Sequence, residues 1–383
     1  MRILYVIDSL VAGGAERSLA AMAPHLVGAG IDLHVVPLID RPGVEADLVA
    51  GGAHVHPAIG AVRRRAVGAL RRLVVEIDAD LVHTTLFEAD LAGRLAARWA
   101  RRPSVTSLVG GGFPMPPGAG PATRVRFAGA AFTDAATAHL AVRFHAVSET
   151  VAVDGRRRLR LAHDRVEVIH RGRDLDALGT RTAGRRARVR GGLGIDDATP
   201  VVAVVARHDP RKGLDVLIDA WPQISGAVPG AVLLVAGRDG PATPSLLAAV
   251  ARLADPGSVR LLGHRDDVAD LLAAADVAAL CSRSEGLPGT LLEALALKVP
   301  LVATDIAPVL EIVDRDGPAR LVPAGDAPAL ATAVVSLIED PPPPAALAAG
   351  RALVERSFTI EAASAAMAGF YRRSLEAAHR AGR

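Results

Sequence analysis

The feature that most restricts the fold of this chain is a pattern that occurs twice along it. Short apolar runs rich in β-branched residues are each followed by a longer segment with helical periodicity. Runs such as Arg2–Ile7 (RILYVI), Val201–Ala206 (VVAVVA) and Val232–Ala236 (VLLVA) are almost wholly apolar and do not alternate with polar residues. Strands that read this way are covered on both faces, and strands separated by helices run parallel. The first half predicts strands at Arg2–Ile7, Leu33–Leu38, Leu81–Thr84, Ser104–Val109, Phe144–Val147 and Val166–Ile169, with helices near Ala15–Ala29, Ala61–Ile77, Glu88–Ala100 and Pro121–Leu140. The second half restarts with Val201–Ala206, Val232–Ala236, Val259–Leu261, Val277–Leu280, Leu301–Ala303 and Arg320–Val322. The expected fold class is therefore α/β, with two doubly wound parallel-sheet domains at 1–185 and 186–359. A C-terminal helix at about 360–379 is expected to return to the first domain. Gly179–Thr199, rich in Gly, Arg and Asp, reads as a linker carrying a polar helix. Ligands of open parallel sheets bind outside the carboxyl ends of the strands, so the active site is expected in a crevice where the two sets of strand ends face each other.

Composition narrows the function. The chain has 383 residues, long enough for two domains to bury their own cores. Its single cysteine, Cys281, can form no internal disulfide, and with so little sulfur neither a structural zinc site nor an iron–sulfur cluster is expected. The start MRILYVIDSL reaches Asp8 too soon for a signal-peptide core, and no uncharged apolar stretch is long enough to span a bilayer, so a cytoplasmic protein is expected. Charge is unevenly spread: residues 1–190 hold 27 Arg and no Lys against 18 acidic residues, whereas residues 191–383 hold 17 basic against 23 acidic. The basic half could attract an anionic acceptor or make peripheral contact with the inner face of an anionic membrane, though an arginine-rich solvated face is the reading that composition favours. Nucleic acid is disfavoured, because almost no aromatic residues interleave with the arginines to stack on bases. The arginine-rich segment Ala61–Ile77 keeps Val62, Ala66, Leu70, Leu73, Val74 and Ile77 on one face, which predicts a sheet-covering helix over a membrane-surface one.

Three loops carry residue types suited to chemistry. After the first strand, Gly13 and Gly14 open a helix, where bare amides favour a phosphate; the spacing is not Gly-x-Gly-x-x-Gly, so a nicotinamide or flavin dinucleotide is disfavoured. After the first strand of the second half, Arg207 and Lys212 stand five residues apart on a loop entering a helix, and Lys212 is one of only two lysines in the chain. Two cations so placed could hold a pyrophosphate, or could be a solvated pair. In Ser282–Ala294 (SRSEGLPGTLLEA), Glu285 and Glu293 bracket a turn that becomes a helix, with the amides of Gly289 and Thr290 beside them. Carboxylates accept sugar hydroxyls and helix-start amides accept phosphate, so this loop offers partners for both halves of a nucleotide sugar.

In order along nearly the whole chain, GGAER, AVSE, RGRD, ARHDPRKG, LLVAGRDG, LLGHRDDV, LLAAADV and SEGLPGTLLEALALKVPLVAT resemble the retaining glycosyltransferases of family 4. That resemblance implies the GT-B fold of two facing Rossmann-like domains and transfer of a sugar from a nucleotide diphosphate donor to a hydroxyl of a small-molecule, natural-product or lipid-linked acceptor. It implies that Arg207 and Lys212 bind the donor diphosphate, that Glu285 faces the sugar hydroxyls and that Glu293 faces the ribose. Gly13, Gly14, Gly289 and Thr290 would lie beside the diphosphate, and His264 and Arg265 against the base. It implies no cofactor and no metal, with which the lack of a His/Cys cluster in the sequence agrees.

The sequence departs from the family in three places. Many members carry a histidine after the fourth N-domain strand, but here Thr106–Gly112 (TSLVGGG) has no imidazole. No catalytic histidine carries over, and His83 and His145 are the nearest acceptor-side candidates, with Glu88 in a loop that could line the acceptor pocket together with the Gly110–Gly120 segment. Ala206 stands where a glycine is usual, and RGRD replaces Asn-Gly-x-Asp, leaving Arg171 and Arg173 without an assigned role. Two alternatives share these features: a sugar-nucleotide epimerase of the same architecture, and a catalytically silent sugar-nucleotide-binding protein.

Overall fold

The structure is a computed structural model that describes residues 1–61, 64–110, 120–380 and 382, with Arg64 described by its backbone alone. It divides into two compact units, Met1–Gly172 with Ile360–Arg383, and Arg173–Thr359.

The first unit holds strands β1 (Arg2–Ile7), β2 (Asp32–Pro37), β3 (His54–Val55), β4 (Leu81–Thr85), β5 (Ser104–Leu108), β6 (Arg143–Ala146) and β7 (Val166–Val168). They form one sheet in the order β3-β2-β1-β4-β5-β6-β7, every pairing parallel. Alternation along β1 distributes its side chains to two cores. Ile3, Tyr5 and Ile7 pack with Leu19, Ala23 and Leu26 of helix Gly14–Gly28 and with Met367, Phe370 and Tyr371 of helix Ile360–Arg380. Leu4 and Val6 face the other way, onto helices Arg64–Glu76 and Phe87–Trp99 through Ala66, Leu70, Val74, Ala92 and Ala96. The arginine-rich helix therefore covers the sheet with Ala66, Leu70 and Val74 of the anticipated apolar face, with Leu73 and Ile77 packed against them; Val62 lies outside the described residues. Among the described residues, no helix is long and apolar enough to cross a membrane.

The second unit holds β8 (Val201–Val205), β9 (Val232–Ala236), β10 (Val259–Gly263), β11 (Val277–Leu280), β12 (Leu301–Thr304) and β13 (Arg320–Val322), also all parallel, in the order β10-β9-β8-β11-β12-β13. In each sheet the connection reverses direction beside the first strand, at β1/β4 and at β8/β11, which is where loops diverge and leave room for a ligand. Trp221 anchors the second core at 1% exposure, with its indole N–H donating to Ser258 Oγ at 2.9 Å.

The boundary between the units differs from the expected 185/186. Residues 173–185 belong to the second unit because arginines bind them to it. Arg173 Nε donates to Glu293 at 2.8 Å, and Arg181 donates to the carbonyls of Ala273 and Ala275 at 3.1 and 2.7 Å. Helix Ala183–Gly192 continues the same device, with Arg186 and Arg190 both donating to the Ala274 carbonyl and Arg190 also pairing with Asp276 at 2.8 Å. Helix Val268–Ala274 ends with unsatisfied carbonyls and a partial negative charge, and these guanidiniums satisfy both. The apparent linker is thus a set of helix C-terminal caps.

Candidate active site

In the second unit the loop after β8 is shaped by Asp209. Its Oδ1 accepts the Arg211 amide at 3.0 Å and caps the turn Pro210–Lys212, while its carboxylate also takes the Arg211 guanidinium at 3.0 Å and Arg207 Nη2 at 2.5 Å. The Arg211 guanidinium, its amide and Arg207 together hold the Asp209 carboxyl well below the usual range. Arg207 is half exposed and is oriented by this carboxylate.

The turn ends at Gly213 with φ +64°, and a Cβ there would stand 2.0 Å from the Cys281 carbonyl oxygen. The loop after β8 can therefore press against the end of β11 only with glycine at this position. Gly213→Ala is expected to cost about 2 kcal/mol or more of stability, from the left-handed backbone and the displaced strand end; the shift of the urea midpoint measures it.

This close approach brings Lys212 to the carboxyl end of β11. Its Nζ donates to both oxygens of Glu285, at 2.6 and 2.7 Å, and Ser282 Oγ donates to Glu285 Oε1 at 2.6 Å. Lys212 and Glu285 line one pocket together with Ala206, Ser282, Gly289 and Thr290, with about 320 Å³ of empty space open to solvent. Its floor is the N-terminus of helix Gly289–Ala296, whose first amides lack intrahelical partners. Gly289 lets Arg173 lie across that N-terminus: a Cβ on Gly289 would sit 1.7 Å from Arg173 Nη2. The same guanidinium is bonded to Glu293. Cys281 is buried, its thiol pushed up to about 12 by loss of solvent, and so is no nucleophile.

Of the residues anticipated from sequence, the structure thus brings Lys212, Glu285, Gly289 and Thr290 around one pocket, with Glu293 joined to them through Arg173. Arg207 lies on the same loop but turns to Asp209. His264 and Arg265 follow β10 and pair within their own loop, His264 with Asp266 at 3.4 Å and Arg265 with Asp267 at 2.6 Å.

In the first unit Gly13 caps helix Gly14–Gly28, with the guanidinium of Arg171 over Gly14. Asp8 accepts the amide of Ala89 at 2.7 Å, fastening the first turn of helix Phe87–Trp99, which contains Glu88. Leu86, just before it, is held at φ +77° and ψ 160°, a region that costs a residue other than glycine about 1–3 kcal/mol. Burial pushes the Asp8 carboxyl up to about 6.

His83 and His145 belong to one buried chain of hydrogen bonds. The Ile169 carbonyl, 2.9 Å from His145 Nε2, can only accept, so a neutral His145 carries its proton there and Nδ1 accepts. Ser107 Oγ donates to that Nδ1 at 2.8 Å and accepts from His83 Nε2 at 2.7 Å, and His83 Nδ1 accepts from the Tyr371 hydroxyl at 2.7 Å. Burial keeps both rings neutral, lowering His145 to about 4 and holding His83 well below its usual value. His83 is fully buried; His145 lines a small pocket with Tyr5, Ser107, His170 and Arg171. The Gly110–Gly120 segment falls for the most part outside the described residues.

Sequence reading missed Asp209, Ser282, Asp8, Ser107 and Tyr371. An Asp before a Pro is a helix-start signal, and Asp209-Pro210 could have been read as one. Tyr371 lies 288 residues from His83, and nothing local marks it.

Two parallel-sheet units of Rossmann type, with helix-start amides after β1 in the first and after β11 in the second, are the parts from which the GT-B class is built. Residues 12–177 match the family described as Glycosyltransferase Family 4, and residues 199–340 the family described as Glycosyl transferases group 1. The two halves of the chain thus each match a glycosyltransferase family model, and the two matches together span most of its length. The chain is 34% identical over 212 residues to a GDP-mannose-dependent monoacylated alpha-(1-6)-phosphatidylinositol monomannoside mannosyltransferase of Corynebacterium glutamicum, covering 52% of this chain and 54% of that one. It is 30% identical over 194 residues to an alpha-D-kanosaminyltransferase of Streptomyces kanamyceticus, covering 50% of each. The chain thus spans about half the length of these curated relatives. In fold it is similar to Anabaena HepE in complex with UDP-glucose, with a TM-score of 0.83 at 23% identity, covering 97% of this chain and 100% of that one.

Proposed function

We propose that the chain is a retaining glycosyltransferase that moves a sugar from a nucleotide diphosphate donor to an acceptor hydroxyl. The observation that carries this reading is the Lys212–Glu285 pair lining one pocket with Gly289 and Thr290, the first residues of helix Gly289–Ala296. The pocket offers an ammonium and helix-start amides for a diphosphate, beside a carboxylate for sugar hydroxyls. The named activities of the C. glutamicum and S. kanamyceticus relatives support it.

In this reading the bond from the anomeric carbon to the diphosphate oxygen breaks while the acceptor oxygen bonds to the same face of that carbon. The acceptor proton passes to the departing diphosphate oxygen, so no protein nucleophile takes part. Lys212 and the amides of residues 289–290 balance the charge that grows on the leaving group, helped by Arg207. Glu285 orients the donor through hydroxyls away from the anomeric carbon, and Glu293, held by Arg173, faces the ribose. The acceptor is a small molecule, natural product or lipid-linked hydroxyl, and Arg171 with the surplus of arginine in residues 1–190 favours one that carries negative charge or sits at an anionic membrane surface.

Glu285→Gln keeps the shape but loses the charge. It is expected to lower the rate of transfer by roughly 10- to 100-fold, the scale of a charged hydrogen bond of about 1.5–3 kcal/mol; full turnover by this variant would remove Glu285 from the site. Binding is tested by thermal denaturation with a panel of nucleoside diphosphates and their sugars. A ligand that binds only the native chain raises the midpoint. The expected result is a rise with at least one diphosphate that shrinks in Lys212→Ala; no rise with any of them overturns the reading.

A further inference from the structure

At the edge of the first sheet, four side chains with metal-binding atoms share one face. Asp32 and His34 lie two residues apart on β2, and His54 and His56 two apart along and just beyond β3; because side chains alternate, each pair points to one side, and His34 is the register partner of His54. No local motif shows this, since the two halves are twenty residues apart in sequence and meet only through the β2–β3 pairing. The absence of a histidine cluster read from sequence is corrected here.

The distances suit a single ion. Asp32 Oδ1 is 3.1 Å from His34 Nε2 and 3.5 Å from His54 Nε2, and one donor atom from each of the three residues lies within 4.8 Å of the others. Bonds of about 2.0–2.2 Å at tetrahedral angles would set such atoms about 3.3–3.6 Å apart. The surrounding groups aim them. Arg2 Nε holds Asp32 Oδ2 at 2.7 Å, which leaves Oδ1 toward the rings. His34 Nδ1 stands 2.8 Å from His56 Nε2; with the proton on His34 Nδ1 and donated to His56, the Nε2 lone pair of His34 is free for an ion, as it is in metal-bound histidines whose other nitrogen donates to a partner. The His34 and His54 rings stack at 4.7 Å, and His54 is exposed, which gives an ion access and leaves a position for water.

We propose that Asp32, His34 and His54 bind one divalent transition-metal ion of the zinc type, with His56 positioning His34. The nitrogen-rich donor set favours zinc, nickel or copper over magnesium or calcium. The ion would tie the two-residue strand β3 to β2. It is a site apart from the Lys212–Glu285 pocket, and its test does not depend on glycosyl transfer.

The test uses the full, untagged chain freed of metal with a chelator. Titration with Co²⁺ should produce visible absorption of tetrahedral intensity at one ion per chain, displaced by Zn²⁺, and Zn²⁺ should raise the melting temperature. His54→Ala, at an exposed position, and Asp32→Asn should each weaken binding by more than about tenfold and abolish that rise, and His56→Gln should weaken it by roughly tenfold. Unchanged affinity and stoichiometry in His54→Ala, or no binding by the native chain, would overturn the proposal and leave an ion-paired histidine edge.

Discussion

Replacing Lys212 by alanine is expected to slow sugar transfer by about 100-fold or more, a loss of about 3 kcal/mol in transition-state stabilisation. The magnitude follows from where the ammonium sits. It is held in a pocket wall by two hydrogen bonds to Glu285, behind a turn that Asp209 caps and Gly213 presses against β11. A cation fixed before the reaction needs no reorganisation as charge develops on the leaving diphosphate. Removing it also leaves Glu285 with Ser282 as its remaining side-chain donor, so the donor sugar loses part of its orientation. Lys212→Arg tests geometry against charge: a guanidinium restores the charge but cannot occupy the same point against Glu285, and partial recovery is expected. Steady-state kinetics should place the loss mainly in kcat. An unchanged rate constant in Lys212→Ala would remove this residue from the chemistry.

The second large effect concerns acid stability. His145 is buried and neutral, with its pKa lowered from the usual 6.5 to about 4. In the unfolded chain the ring takes a proton as the pH falls through 6.5, whereas in the folded chain it takes none until about 4. The unfolded state therefore binds more protons across that window, and folding loses stability as the pH falls through it. The part owed to His145 is about 3 kcal/mol, fully present above 6.5 and lost by about 4. Asp8 and Asp90 act in the opposite sense, since burial raises them to about 6 and about 7 and the folded chain gains protons first. The comparison that isolates the histidine is the native chain against His145→Asn. Denaturant unfolding at a series of pH values should show the native advantage shrink by about 3 kcal/mol between pH 7 and pH 4; a constant difference would mean that His145 takes up its proton as readily in the folded chain as in the unfolded one.

The strands β1, β2, β8, β9 and β11 were legible because parallel strands covered on both faces must be continuous and apolar, and few other segments of this chain are. The strand β3 was not, because two residues carry no period. The loops after β8 and β11 announced their charged residues, yet the pairing of Lys212 with Glu285 depends on the parallel register of β8 with β11, which brings together residues 73 positions apart. The arginines of 181–190 read as a solvated linker because a helix C-terminus in need of caps leaves no mark on the sequence of the residues that cap it. Tyr371, Ser107 and the two histidines form one chain only after the C-terminal helix has packed under β1 and β4, a long-range event that local composition does not encode.

The most direct test of the account is an NMR time course of a nucleotide sugar with an α-configured donor bond, incubated with the native chain and a panel of hydroxyl acceptors. The account predicts that nucleoside diphosphate and a glycoside appear together, with the first-formed product α-configured and neither formed at a comparable rate by Lys212→Ala. A β-configured first product, an isomerised donor with its diphosphate bond intact, or equal turnover by the variant would contradict it.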